Sequence, residues 1–114
     1  MTEAPLFIQT FDLASWLLRQ LPAESPLTPR LHREGLALLD AVVLALRGQD
    51  TDARLAQADE AATLLRIHLR LAVQIEQLTP RQMLFLTGEL DSIGRQLGGW
   101  RKKRTPDTRA RRDR

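Results

Sequence analysis

The 114 residues include 43% hydrophobic but only 4% aromatic side chains, no cysteine, and a formal net charge of +3. A chain of this length holds one domain, and its core has to be filled by Leu, Ala, Val and Ile, the composition of helix-on-helix packing. The lack of cysteine excludes disulfide frameworks and thiolate metal sites. The longest apolar stretch, residues 35–46, is interrupted by Asp40 and falls short of the roughly 20 residues a bilayer span requires.

The opening residues lack the basic and apolar regions of a signal peptide, so a soluble, cytoplasmic protein without membrane contact is expected. Proline and glycine then divide the chain into four helical segments. The first spans residues 5–21, with Phe7, Phe11, Ala14, Leu18 and Leu21 along one stripe and Pro22 as its stop. After a loop over residues 22–27, Thr28 and Pro29 read as the N-cap and first-turn proline of a helix extending to residue 47. Gly48 opens a short turn, and a third helix is expected over residues 52–77. Thr79 and Gln82 have the spacing of a capping box. The fourth helix carries Leu86, Leu90, Ile93 and Leu97 at heptad-like intervals and is expected to stop at Gly98-Gly99. Short connections favour antiparallel neighbours, giving an all-α, up-down-up-down four-helix bundle over residues 1–100. A basic, disordered tail is expected over residues 101–114.

Two of these helices are apolar over more than one face. The third has one stripe through Leu55, Ala58, Ala62, Leu65, Leu69 and Ala72, and a second through Leu64, Ile67, Leu71, Ile75 and Leu78. The second pairs Leu31, Leu38, Val42 and Ala45 with Leu39, Val43 and Leu46. A surface helix of a monomeric bundle needs one such stripe, so the excess points to subunits that associate.

Charge is unevenly distributed. Residues 101–114 hold eight of the seventeen basic side chains and two of the fourteen acidic ones, so the tail is basic and the body net acidic. A basic end of this kind either contacts nucleic acid or stays solvated. Within the body, Arg66 and Arg70 lie about one turn apart around His68, and Arg95 falls on the fourth helix. They either form ion pairs with Asp59, Glu60, Asp91 or a neighbouring helix, or present planar guanidinium groups to phosphate. Trp100 either packs over a bundle end or stacks on a base, and Trp16 is a candidate for a subunit seam. His32 and His68 lack the Glu-x-x-His and His-Glu-x-x-His spacings of metal-dependent bundles, and no serine sits in a nucleophile elbow. The expectation is therefore a non-enzyme without metal or cofactor.

Two stretches carry a further signal. The third helix contains Leu65-Arg66-Ile67-His68-Leu69-Arg70-Leu71; Thr79-Pro80 then restarts the chain towards Ile93-Gly94-Arg95-Gln96-Leu97-Gly98-Gly99-Trp100 and the basic end. This pattern resembles the accessory variability determinant (Avd) proteins of diversity-generating retroelements over most of residues 6–104. Related four-helix proteins encoded in ribosomal RNA intervening sequences are the second choice, because the second helix lacks their Arg-Arg-Ala-x-x-Ser and Asn-Ile-Ala-Glu-Gly patterns. The Avd resemblance implies a homopentameric barrel of four-helix bundles that binds a reverse transcriptase and its template RNA and supports mutagenic cDNA synthesis. On this chain it implies contacts through Arg66, Arg70, Arg95, Arg101, Lys102, Lys103 and Arg104. The acidic body departs from the basic barrel surface of the family, so the tail would supply much of the attraction for phosphate.

Overall fold

The computed structural model describes residues 4–104. They form α1 (Pro5–Gln20), α2 (Thr28–Leu46), α3 (Thr51–Gln74) and α4 (Pro80–Arg104), with no strand among the described residues. In turn α1 packs on α2, α2 on α3, α3 on α4, and α4 back on α1, so the four helices enclose one core.

The helical period decides which residues fill that core. Leu55, Ala58, Ala62, Leu65, Leu69 and Ala72 of α3 are buried, as are Leu31, Leu38, Val42 and Ala45 of α2 and Leu86, Leu90, Ile93 and Leu97 of α4. On α2 and α3 these make up one of the two apolar stripes that the sequence offers, and on α4 its single stripe. On α1 the expected stripe is rotated. Leu6, Thr10, Leu13, Ala14 and Leu17 face inward, whereas Phe11 and Leu18 are 52% and 49% exposed. The cause is a close approach at Gly35 of α2, where an added Cβ would lie 2.7 Å from Leu17 Cδ1. That notch accepts Leu17, so its stripe becomes the inner one. Thr10 is tolerated inside because its hydroxyl donates to the carbonyls of Leu6 and Phe7, at 2.9 and 3.0 Å.

The helix ends show where local rules hold. Thr28 is not the N-cap of α2: Leu27 takes that position, and the Thr28 hydroxyl instead donates to the Pro22 carbonyl. At the other end of α2, Gly48 adopts φ +77, with its N–H on Ala45 O and the Gln49 N–H on Leu44 O, a Schellman closure. The end of α3 repeats that closure with Glu76 at φ 63 in place of glycine; Glu76 N–H reaches Val73 O and Gln77 N–H reaches Ala72 O. This ends α3 at Gln74, earlier than expected. The capping box forms as read: Gln82 N–H donates to Thr79 Oγ1 at 3.1 Å, and Thr79 N–H to Gln82 Oε1 at 3.0 Å.

The largest departure concerns α4, which continues through Gly98-Gly99 to Arg104. Neither glycine has a positive φ, the conformation that would turn the chain out of the helix. Leu97 is buried on one side of them and Trp100 packs against the core on the other. Residues three apart share a helix face, so both anchors require the intervening glycines to remain helical. The basic segment therefore begins as ordered helix, and the rest of the expected tail, residues 105–114, lies outside the described residues.

Candidate nucleic-acid interface

Asp52, Asp59 and Arg66 are spaced seven residues apart on α3, close to two helical turns, and so share one side of it. That side faces α4. Arg104 Nε pairs with Asp52 Oδ1, Arg101 Nη1 lies 3.4 Å from Asp59 Oδ2, and Arg66 Nη1 lies 2.8 Å from Asp91 Oδ1. The Arg66 guanidinium runs over Gly94, where an added Cβ would stand 3.7 Å from Nη2. Three ion pairs thus lace the α3–α4 seam. All six side chains are at least one-third exposed, so each pair contributes about 0–1 kcal/mol and is readily exchanged.

Arg70 lies about one turn beyond Arg66, exposed and without an intramolecular partner among the described residues. It borders a groove of about 400 Å³ with Val73, Pro80, Met83, Leu84 and Thr87. Arg95 is likewise exposed and unpartnered among the described residues, but it borders the groove between α1 and α4 with Ile8, Gln9 and Gln96. Arg95 and Arg70 thus line separate grooves, although the sequence grouped them. In the last turn of α4, Arg101, Lys102, Lys103 and Arg104 are all exposed. Their charge complements the negative end of the helix dipole, a structural role that requires no ligand. Lys102 also interacts within the chain, whereas Lys103 has no partner among the described residues.

His68, which interrupts the Arg66–Arg70 pair in sequence, points elsewhere. Its Nδ1 lies 2.8 and 2.6 Å from the two carboxylate oxygens of Glu34 on α2. Glu34 is buried, and Arg30, one turn before it, approaches the same carboxylate at 3.4 Å. This is a polar clamp between α2 and α3, and it takes His68 out of the basic surface. The sequence offers Asp59, Glu60, Asp91 or a neighbouring helix as partners for Arg66 and Arg70. Asp91 is the one used by Arg66, while Asp52 and Asp59 hold arginines of α4 instead. The seven-residue spacing of Asp52, Asp59 and Arg66 was the available signal for this seam.

Trp100 packs against the core, which gives it an architectural role, and Trp16 meets Phe85 of α4 with ring centroids 6.0 Å apart. No helix among the described residues is long and apolar enough to cross a membrane. Neither family models, curated proteins nor solved structures yield a match to this chain.

Proposed function

We propose that this chain is a non-catalytic accessory subunit of a diversity-generating retroelement, holding a reverse transcriptase and its template RNA for mutagenic cDNA synthesis in the cytoplasm. The observation that carries the reading is the last turn of α4, where Arg101, Lys102, Lys103 and Arg104 stand exposed on an ordered helix. Phosphate oxygens compete well for such groups, because the seam aspartates hold their arginines only through exposed pairs. Arg66 and Arg70 extend this surface along α3, and Arg95 provides a separate contact.

In this reading each subunit is an antiparallel up-down-up-down bundle. Rising positions on α3 (Asp52, Asp59, Arg66) pair with falling positions on α4 (Arg104, Arg101, Asp91), which supports that topology. The bundles assemble as a homopentameric barrel. Its support is the outward stripe of Leu64, Ile67, Leu71 and Ile75 on α3, together with exposed Phe11 and Leu18 on α1 and Leu84 on α4. Apolar surfaces on different helices suit a head-to-tail contact, which generates rings when its rotation closes.

A second reading, an oligomeric scaffold that binds protein alone, is favoured by the aspartates already facing Arg66, Arg101 and Arg104. An RNA gel shift at low salt, together with co-purification of the reverse transcriptase, separates the two. Retention of both partners is expected. Retention of protein without RNA at any salt would leave the scaffold reading.

A further inference from the structure

The α1–α4 seam is the most sparsely packed of the four, and it opens into two adjoining grooves of about 720 and 250 Å³. Both α1–α4 grooves are bordered by Asp12 of α1 and Glu89 of α4, which places two carboxylates where they join. The smaller groove is also lined by Trp16 and Phe85, and Phe85 leaves nearly half of its surface, 48%, open. Asp12 is exposed and has no intramolecular partner among the described residues. Glu89 accepts one bond, from Gln9 Nε2 to its Oε2 at 2.7 Å, so its other oxygen retains its accepting capacity.

An open aromatic face beside two carboxylates matches one chemical group well. A guanidinium stacks its plane on the ring and directs its N–H fork at the carboxylates. We infer that this groove is a docking site for an arginine-bearing segment of a partner protein. Ile8, 42% exposed and lining the larger groove, provides an apolar neighbour for residues flanking that arginine. The one cation lining the smaller groove, Arg19, already donates from Nε to the Ser15 carbonyl at 3.3 Å. Arg95 lines only the larger groove, so the corner of the smaller one that holds the ring and the two carboxylates is separate from the basic α3–α4 seam and does not depend on the RNA reading.

The test is an NMR titration of the full chain with a blocked Leu-Arg-Leu peptide, set against the same peptide with neutral citrulline in place of arginine. The reporter is the Trp16 indole N–H signal, assigned by comparison with Trp100→Phe and followed together with the backbone signals of residues 12 and 89. A saturable shift with the arginine peptide alone is expected, and Asp12→Asn should weaken it roughly ten-fold, the scale of one charge-assisted hydrogen bond. Asp12 is an exposed side chain outside the core, so this variant tests the site without perturbing the fold. Equal shifts from both peptides, no shift from either, or undiminished binding by Asp12→Asn would overturn the proposal. So would a Trp16 shift driven by RNA, or one that follows protein concentration alone and so assigns the groove to a second copy.

Discussion

Replacing Gly98 and Gly99 with alanine tests the course of α4 directly. Both positions are helical, neither has a positive φ, and an added Cβ at either meets nothing within 4 Å. Each substitution in a helix interior gains about 0.8–1.0 kcal/mol in helix propensity. Adjacent positions do not face each other, so the two gains add apart from fraying near Arg104, and the double variant should gain about 1–2 kcal/mol. For a domain of this size each kcal/mol raises Tm by about 4–8 °C. The assay is thermal and urea unfolding at fixed protein concentration, because association would itself shift Tm. A higher Tm and urea midpoint with an unchanged m-value are expected. If the chain instead left the helix at these glycines in a left-handed turn, alanine would cost roughly 1–2 kcal/mol. A fall in Tm would therefore refute the continuous helix and the ordered placement of Arg101–Arg104.

Other expectations follow from the same physics. Glu76→Gly should stabilise the chain by about 1 kcal/mol, since Glu76 closes α3 at φ 63, whereas Gly48→Ala should destabilise it by a similar amount; paired urea midpoints check both. Leu69→Ala, in the core, should cost about 2–5 kcal/mol, while Ile67→Gln, on the outward face of the same helix, should preserve the helical circular dichroism and lower the mass of the assembly in sedimentation. Thr79→Ala removes one half of the capping box and should cost about 1 kcal/mol, read in the same unfolding assay.

The core was legible wherever burial repeats with the helical period on one face alone. Leu86, Leu90, Ile93 and Leu97 have no competing stripe beside them, and they are buried as read. On α1 two neighbouring stripes are both apolar, and the choice between them depends on Gly35 of α2, which α1's own sequence does not contain. The stop at Gly98-Gly99 failed for a related reason. Glycine permits a helix end but does not impose one, and the burial of Leu97 and Trp100 on either side is a tertiary effect. Likewise the end of α3 was hidden because Glu76 occupies a conformation that glycine usually marks. At the basic surface, residue types were legible and partners were not. Pairing Arg101 with Asp59 and Arg104 with Asp52 requires the register of α3 against α4, and the turn of His68 towards Glu34 requires the position of α2.

The central claim, that the basic end of α4 binds RNA, is tested most directly by the slope of log affinity against log salt for a single-stranded RNA. Each neutralised phosphate contributes a slope of about −0.7, so changing Arg101, Lys102, Lys103 and Arg104 together to glutamine should flatten the slope by up to about 3. The account predicts that flattening together with weaker binding at low salt. A slope that is unchanged by the four substitutions would contradict it.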